Sequence, residues 1–417
     1  MSLRGTEARA AAPPAAIVLP FSAGYFLSYL FRSVNAVIAP ELVAEFSLSA
    51  TQLGLLTAAY FLAFGAFQIP LGMLLDRFGP RRTNAALLLI AGTGAMLFGA
   101  AGSPAVLFGA RALIGLGVCG CLMSSIKAFT LWFPIGQLPA RSGWVFFAGG
   151  LGAVASTAPV EAVLAVIDWR GVFIALGAAC MVVSGAIFFV VPERASGRAT
   201  ETLAQQMAGV VMVFRSATFW RIALASTLFQ ALNMAIQGLW AGPWLADVAR
   251  LDRSEIAKHL LALGGATMCG FLFWGACAAR LARRGVAPFT VFVAATGVFL
   301  AVQLPLVLGA TASPLLLWGA FGFFGTSGSL AFTIVSQSFP MALTGRANTA
   351  LNLLVFLTAF ATQWLFGAIV DLWPAPSGGY LADGYSAAFG FFFVLELFAF
   401  AWMLRARPAT GERAELR

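Results

Sequence analysis

The sequence predicts an all-α membrane protein with twelve transmembrane helices in two pseudo-symmetric six-helix lobes. Three observations lead to this fold class. The composition is that of a chain in lipid, with 60% hydrophobic residues, 10% charged residues and a mean hydropathy of +0.90. Twelve apolar stretches are long enough to cross a bilayer. Two segments in the first half of the chain also recur in the second half at a nearly constant offset, which indicates a duplicated half.

The composition excludes a water-soluble globule, because a chain of 417 residues with so few charges cannot cover a folded core with polar surface. The net charge of +9 does not indicate a nucleic-acid partner, since the basic residues lie in short loops between apolar stretches. The five cysteines lie inside those stretches without metal-ligand spacing. We therefore expect a chain surrounded by the lipid bilayer, with no metal, no cofactor and no nucleic acid bound.

Each apolar stretch is expected to form a helix, because backbone groups in hydrocarbon must be hydrogen-bonded within the chain. The first six predicted spans are Ala15–Ala39, Thr51–Leu75, Thr83–Gly102, Pro104–Phe129, Gly143–Ile167 and Gly171–Val191. The second six are Phe219–Leu245, Leu260–Leu281, Ala287–Ala310, Pro314–Phe339, Gly345–Leu372 and Tyr385–Leu404. We number them as spans 1 to 12.

The lobes are separated by the one long polar connection in the sequence. The predicted organisation is an N-terminal six-helix lobe (1–191), a cytoplasmic linker (192–218), a C-terminal six-helix lobe (219–404) and a cytoplasmic tail (405–417). The duplication supports this division. The segment Gly72–Arg82 aligns with Gly275–Arg284 at an offset of 203, and Phe133-Pro134 recurs as Phe339-Pro340. Two-lobed membrane proteins of this kind usually move a substrate between their lobes.

Charged loops predict the orientation, because Lys and Arg collect on the cytoplasmic side of membrane proteins. With the amino terminus inside, eighteen of them fall on the inner side and four on the outer side. The four outer residues are Arg170, Arg250, Arg253 and Lys258. The first stretch lacks a small-residue cleavage site and is expected to stay as a span. We expect an integral protein of the cell (inner) membrane with both termini in the cytoplasm.

Three motifs resemble those of the major facilitator superfamily. The strongest is the loop after span 2, which reads Gly72-x-x-x-Asp76-Arg77-x-Gly79-x-Arg81-Arg82. The others are Arg111-x-x-x-Gly115-x-Gly117 in span 4 and Asp168-Trp169-Arg170 before span 6. The resemblance covers nearly the whole chain. It implies a monomeric secondary transporter of the major facilitator fold, in which spans 1, 4, 7 and 10 line a central cavity and the lobes rock around it.

Five residues of these motifs are predicted to act in gating. They are Asp76, Arg77, Arg81, Arg82 and Arg111. Asp76 lies at a helix end, where a carboxylate can accept hydrogen bonds from the free amides of a neighbouring helix. The loop arginines can pair with acidic or carbonyl groups, or they can serve only as anchors at the inner surface. For Arg111 the resemblance implies a structural or proton-handling role. Ala279 replaces the acid in the second copy, so the predicted latch belongs mainly to the first lobe.

Arg32 in span 1 is the sharpest signal for a substrate site. It shares one helix face with Tyr25 and Tyr29, at steps of four and three residues. An arginine inside the bilayer costs several kcal/mol unless it faces a partner or water. The nearest downstream acid on its own helix, Glu41, lies nine residues away, so the guanidinium is free to bind a carboxylate or phosphate. The alternative is a structural arginine bonded to carbonyls or to a glutamate on another helix.

Spans 4 and 7 supply the other predicted binding residues. Lys127 would add a second positive charge to the cavity, although a lysine so close to the inner surface could equally reach the interface. Span 7 carries a polar and aromatic stripe at helical spacing. The stripe consists of Gln230, Asn233, Gln237, Trp240 and Trp244, of which the first four are predicted to contact substrate. Hydrogen bonding between helices would account for one or two of these side chains.

Coupling to protons needs a carboxylate in a span. Glu161 near the outer end of span 5 is the first choice. Asp371 at the outer edge of span 11 is expected to be solvated, and Glu396 in span 12 is expected to have a structural partner.

The leading prediction is a transporter that moves a small organic anion with protons by alternating access. The alternative is proton-driven efflux of amphipathic or drug-like compounds, with the aromatic stripe as the pocket. Span 5 contains Pro159 but lacks the glycine-proline signature of the family's drug antiporters, which weakens that alternative. An enzyme is disfavoured, because the sequence contains no hydrolytic residue pair, phosphate-binding loop or metal cluster.

Overall fold

The computed structural model describes residues 13–134, 137–194, 203–376 and 378–405, and the fold in these ranges is built from helices. The first lobe contains α1 (Pro14–Ser33), α2 (Asn35–Phe46), α3 (Ala50–Ala66), α4 (Gln68–Gly99), α5 (Pro104–Val118), α6 (Cys121–Trp132), α7 (Leu138–Ala155), α8 (Ala158–Leu164) and α9 (Trp169–Val190). The predicted linker contains α10 (Leu203–Arg215). The second lobe contains α11 (Ala217–Ala235), α12 (Ala241–Asp247), α13 (Arg253–Ala282), α14 (Pro288–Val307), α15 (Pro314–Gly325), α16 (Leu330–Ser338), α17 (Met341–Val370) and α18 (Ala382–Arg405).

The helices assemble into the twelve predicted spans. Nine described segments are each long and apolar enough to cross a membrane alone. Two helix pairs complete the set, α3 with α4 bent by 47° and α7 with α8 bent by 45°. The α3–α4 pair crosses twice, because α4 is broken at Gly79, where φ is 75° and ψ is 168°. The predicted fold class is therefore confirmed.

The inner side is defined as the side on which α1 begins, and the outer side is the opposite one. Residues 1–12, 195–202 and 406–417 lie outside the described ranges, so the predicted tail and the middle of the linker have no structural account. The first lobe ends with α9 at Val190 and the second begins with α11 at Ala217. The lobe boundaries drawn from the sequence, and the cytoplasmic placement of both termini, stay predictions.

Small residues set the helix spacing inside the first lobe. A Cβ at Gly115 would overlap the backbone of Tyr60, and one at Gly117 would overlap Ala91. The signature glycines of span 4 therefore let α5 lie directly against α3 and the second half of α4. Close approach of backbones is how membrane helices gain packing energy when lipid offers no hydrophobic drive.

The two lobes meet mainly along their outer halves. The helix α3 runs beside α17 from Ala50, next to Gly367, down to Gly65, next to Phe356. The inner part of span 2, in α4, touches α17 only slightly. All described ion pairs that bridge the lobes also lie at the outer ends. The lobes are thus closed together on the outer side and separate towards the inner side.

Candidate functional site

Arg32 lies in the last turn of α1, just before the break at Val34 that separates α1 from α2. Its guanidinium carbon is 4.4 Å from the ring centre of Tyr29, 5.4 Å from that of Phe356 and 5.7 Å from that of Phe64. The rings of Phe64 and Phe356 stack with centres 3.9 Å apart. We call these four residues the Arg32 cage. Since Phe64 belongs to the first lobe and Phe356 to the second, the cage forms where the lobes meet.

The charge of Arg32 has no protein counter-ion within the described ranges. The side chain is 9% exposed, and its Nε is buried without a hydrogen-bond partner. Described ion pairs form at both ends of the spans, but none includes Arg32. The alternative drawn from the sequence, a glutamate on another helix, finds no such partner among the described residues. The faces of three aromatic rings stabilise the cation without neutralising it.

The tyrosines of span 1 lie together beside Arg32, as their spacing predicted. The rings of Tyr25 and Tyr29 are 5.1 Å apart and edge-on. Gly149 of α7 makes room for them, because a Cβ there would lie 2.7 Å from the Tyr25 ring. Tyr60 of α3 donates its hydroxyl hydrogen to the carbonyl oxygen of Ser28 at 3.2 Å. Tyr25 and Tyr60 therefore place two further phenols beside the cage, in addition to that of Tyr29.

Arg111 has a different role from Arg32. It is fully buried, and its Nη2 donates a hydrogen bond of 2.8 Å to the carbonyl oxygen of Phe31. Its guanidinium carbon lies 5.1 Å from the ring centre of Tyr60. Arg111 thus holds the backbone of span 1 at the residue before Arg32. This placement agrees with the structural half of the sequence interpretation, while a part in gating stays a prediction.

The stripe on span 7 faces other helices more than a central cavity. Asn233 and Gln230 lie against Gly325 and Gly328 of span 10, where any Cβ would collide with them. Gln230 also donates to the Ser226 carbonyl oxygen at 3.2 Å. These two amides therefore pack span 7 onto span 10 in this conformation. Their predicted contact with substrate stays untested.

The outer part of the stripe is packed in the same way. Gln237 donates to the hydroxyl of Thr267 in α13 at 3.2 Å. Trp240 is 1% exposed, lies in a π-helical turn (Ile236–Trp240) and stacks on Phe366 with centres 5.2 Å apart. The ring of Trp240 borders a cavity of about 700 Å³ at the outer ends of the lobes and not the Arg32 cage. The role of both residues in binding remains a prediction.

Lys127 is already paired. Its ammonium group contacts the carboxylate of Asp76 at the inner end of span 2. This differs from the two roles expected from the sequence, in which Lys127 faces the cavity or the interface and Asp76 accepts hydrogen bonds from helix amides. The pair joins spans 2 and 4 of the same lobe. The structure thus groups Lys127 with the predicted gate residues.

The loop arginines contact the end of α9. Arg81 donates from Nε to the carbonyl oxygen of Phe188 at 2.8 Å and lies 3.6 Å from the carboxylate of Glu193. Arg82 pairs with the same carboxylate at 2.7 Å. The guanidinium carbon of Arg77 lies 5.2 Å from the ring centre of Phe78. The expected carbonyl and acidic partners are therefore present, the first in α9 and the second at the start of the predicted linker, and the effect on gating remains to be tested.

Glu161 bridges the lobes on the outer side. Its carboxylate and that of Glu41 both contact the guanidinium of Arg253, at the start of α13. A second bridge lies nearby, in which Thr51 donates to Asp371 at 2.6 Å and the backbone amide of Ala50 donates to the Tyr380 hydroxyl at 2.7 Å. We call the Arg253 bridge and this second bridge together the outer latch. The proton-coupling role of Glu161 stays a prediction.

The remaining acid of the spans has the kind of partner that was expected. Glu396 of α18 is 1% exposed and accepts a hydrogen bond of 2.5 Å from Nε2 of Gln303 in α14. One oxygen of each side chain has no described partner. The pair joins two helices of the second lobe.

Three residues of the central site escaped the sequence analysis. Phe64 and Phe356 are ordinary members of apolar stretches, so nothing in their spacing marks them. Tyr60 was detectable in principle, because the chain has only five tyrosines and this one lies inside a span. A polar tip on a buried ring usually needs a partner, which Tyr60 finds in span 1.

Comparisons with known proteins agree with the fold. A family model described as Major Facilitator Superfamily matches residues 21–363. A bacterial homologue of the human lysosomal transporter Spinster, solved in an inward-facing and unoccupied conformation, superposes with a TM-score of 0.77 at 18% identity, covering 94% of this chain and 97% of that one. A D-xylose-proton symporter superposes with a TM-score of 0.73 at 17% identity, covering 94% and 98%.

Curated relatives are transporters by name. The probable sulfoacetate transporter SauU of Cupriavidus necator is 32% identical over 154 residues, which cover 37% of this chain and 36% of the relative. The probable L-galactonate transporter of Escherichia coli K12 is 29% identical over 42% of this chain and 38% of its own length. The hexuronate transporter of the same organism is 26% identical over 84% and 85%. The first two matches thus span little more than a third of those relatives. Since the family match extends over most of the sequence, this chain belongs to the Major Facilitator Superfamily.

Proposed function

We propose that the protein is a secondary transporter that moves a small organic anion across the inner membrane by alternating access. The observation that most strongly supports this proposal is the Arg32 cage. A permanently charged guanidinium lies at the junction of the lobes with no carboxylate partner among the described residues. Arginine keeps its charge and offers a planar fork of donors that matches a carboxylate or sulfonate. The anionic group of the substrate would supply the missing counter-ion.

The relatives support a small polar substrate. Sulfoacetate, L-galactonate and hexuronate, the compounds in their names, all carry an acidic group on a short polar body. The phenols of Tyr25 and Tyr60 beside the cage would bond the polar groups of such a body. Tyrosine combines an apolar face with a polar tip, which suits a binding site between helices.

The contacts between the lobes support alternating access. The outer latch and the contact of α3 with α17 close the outer side, while the inner halves separate. Opening to the outside requires these contacts to break. Because Phe64 and Phe356 come from different lobes, the same movement would take the Arg32 cage apart. Binding energy at the cage and the position of the lobes are thereby linked.

Proton coupling is proposed to involve Glu161. When the lobes part on the outer side, the contact between Arg253 and Glu161 has to break, so the partner of this carboxylate changes with the position of the lobes. Uptake should then be faster with an acidic exterior. Glu161→Gln is expected to transport without dependence on the pH gradient. A retained dependence on the gradient would remove Glu161 from the coupling mechanism.

The test of the substrate class is uptake into proteoliposomes. Wild-type protein should accumulate a labelled sugar acid or sulfonate, and Arg32→Gln should reduce the uptake rate about 10- to 100-fold, since hydrogen bonds to a charged group contribute about 1.5–3 kcal/mol. Arg32→Lys keeps the charge but loses the fork, so its rate should lie between the two. Arg284→Gln, at an exposed inner position, is the control for loss of one positive charge.

Two outcomes would contradict the proposal. Equal uptake by Arg32→Gln and Arg284→Gln would remove Arg32 from the binding site. Active extrusion of amphipathic dyes, with no transport of any anion, would favour the alternative of drug-like efflux, in which the aromatic stripe of span 7 is the pocket.

A further inference from the structure

A small cavity rich in arginine lies at the inner ends of spans 2, 3, 4 and 6. Its volume is about 210 Å³. The side chains that give it its character are Arg77, Arg81, Arg82, Trp132, Glu193 and Arg194. We call it the arginine pocket. It lies between the first lobe and the start of the predicted linker, apart from the Arg32 cage, which is formed by α1, α3 and α17.

The arginine pocket has a large excess of positive charge. Glu193 is the only acid among its described lining residues, and it is shared by Arg81 and Arg82. Arg77 and Arg194 form no ion pair with a described residue, and each lies over an aromatic ring, at 5.2 Å from Phe78 and 5.0 Å from Trp132. Four guanidinium groups therefore face one carboxylate. Their planar donor forks match the oxygens of a phosphate better than an ammonium group would.

The surroundings of the pocket indicate where a phosphate would come from. Phe78 lines the pocket and Phe188 lies against the guanidinium of Arg81, and they are exposed by 46% and 41%. Trp132 is the last residue of α6. A tryptophan at a helix end is typical of the level where hydrocarbon gives way to headgroups, because its ring is amphipathic. A ligand with its phosphate among the arginines could place an apolar tail along these rings.

We propose that the arginine pocket binds the headgroup phosphate of an anionic phospholipid from the inner leaflet. Basic pockets between membrane helices on the cytoplasmic side are suited to such headgroups. The bound phosphate would contact the arginines around the break in α4 and the segment after α9 at the same time. It would therefore hold the start of the linker against the first lobe. The proposal does not depend on the substrate assigned to Arg32.

The test is thermal unfolding of the full-length protein in a neutral detergent with short-chain lipids. Dihexanoyl phosphatidylglycerol should raise the unfolding temperature, whereas dihexanoyl phosphatidylcholine and inorganic phosphate at equal concentration should not. Arg194→Gln should raise the half-saturating lipid concentration about tenfold, as expected for one lost charge-assisted contact. Arg82→Gln is the second variant. Arg284→Gln removes one charge on the inner side of the other lobe and should behave as wild type. Arg32→Gln should also respond normally.

Each other outcome decides against the proposal. Equal stabilisation by phosphatidylcholine would show that the headgroup charge has no role. Equal stabilisation by inorganic phosphate would assign the pocket to a soluble anion. If Arg284→Gln weakened lipid binding as much as Arg194→Gln, the stabilisation would reflect general surface charge and not the arginine pocket. If Arg194→Gln does not fold, an unchanged lipid response in Arg82→Gln would overturn the proposal.

Discussion

Two buried arginines in neighbouring helices show how residue type alone leaves a role undecided. Arg111 donates to the carbonyl oxygen of Phe31 and fixes the backbone of span 1 there. Arg32, the residue that follows Phe31, is surrounded by aromatic rings. A buried charge without a partner costs several kcal/mol. The protein reduces this cost at Arg32 with ring faces, which stabilise a cation without neutralising it, and the Nε of Arg32 has no described hydrogen-bond partner.

The Tyr29 ring is predicted to matter more than its hydroxyl group. Tyr29→Leu removes the closest ring, at 4.4 Å from the guanidinium carbon, and should weaken anion binding about fivefold, within the range of about 0.5–2 kcal/mol for such contacts. Tyr29→Phe keeps the ring and should bind nearly as well as wild type. Titration calorimetry of the three proteins compares the affinities. A Tyr29→Phe variant as weak as Tyr29→Leu would transfer the role to the hydroxyl.

The buried pair of Glu396 and Gln303 is predicted to be a structural unit. Glu396→Leu leaves the Gln303 amide buried without its acceptor and should destabilise the protein by about 1–3 kcal/mol. Replacing both residues by Leu removes the unpaired group as well, so the double variant should be more stable than the single one. Unfolding of the purified variants measures this difference. A double variant less stable than Glu396→Leu would show that the pair has another role.

The sequence predicted the residues that span 1 contributes to the site but not the phenylalanines that other helices contribute. Arg32, Tyr25 and Tyr29 were recognisable because charge and aromatic groups at helical spacing are unusual inside a span. Phe64 and Phe356 were not, since the tertiary fold alone distinguishes them from other phenylalanines in the spans. The amides of span 7 pack against Gly325 and Gly328, and that contact can be recognised only once the neighbouring helix is known.

At the scale of elements, Gly79 breaks α4 and so separates span 2 from span 3. Its φ of 75° with ψ of 168° lies in a region open essentially to glycine. Gly79→Val should therefore destabilise the protein by about 1–3 kcal/mol through backbone strain. Gly72→Ala is the matched control, because a Cβ there meets no atom within 4 Å and alanine favours a helix.

Unfolding of the purified Gly79 and Gly72 variants tests this account of the turn. Equal stability of Gly79→Val and Gly72→Ala would show that the turn accepts a side chain and that the broken helix has another cause. The existence of all twelve spans followed from hydropathy, whereas the breaks inside them did not. The π-helical turn at Ile236–Trp240 and the 3-10 turn at Thr326–Ser329 interrupt spans 7 and 10, and the hydropathy of these spans does not mark either turn.

At the scale of the whole molecule, the outer latch holds the two lobes together on one side. Asp371 accepts hydrogen bonds from Thr51 of the first lobe and from Tyr380 of its own lobe. Burial alone would raise the pKa of Asp371, but these hydrogen bonds lower it below the ordinary value of 3.8. Burial and the bond to Asp371 also raise the pKa of Tyr380 to about 12, so Tyr380 remains a donor. The hydrogen bonds that Asp371 accepts in the outer latch are therefore formed at neutral pH.

Acid is predicted to weaken this latch. A carboxylate with a lowered pKa in the folded state stabilises the fold above its ordinary pKa, and this contribution is lost as the pH falls through the lowered value. The unfolding temperature should drop below about pH 4, and Asp371→Asn should show a smaller drop. Asp383→Asn, at an exposed position near the start of α18, is the control. Parallel acid profiles for wild type and Asp371→Asn would contradict this role of Asp371.

The proposed function requires Arg32 to bind the anionic group of the substrate. Binding of anions to the purified protein measures this step separately from the rest of the transport cycle. Titration calorimetry with a panel of sugar acids and sulfonates, each paired with its neutral analogue, should show binding of at least one anion by wild-type protein and by Arg284→Gln. The neutral analogues should not bind, and neither should Arg32→Gln. Binding of the same anion to Arg32→Gln with unchanged affinity would contradict the central claim.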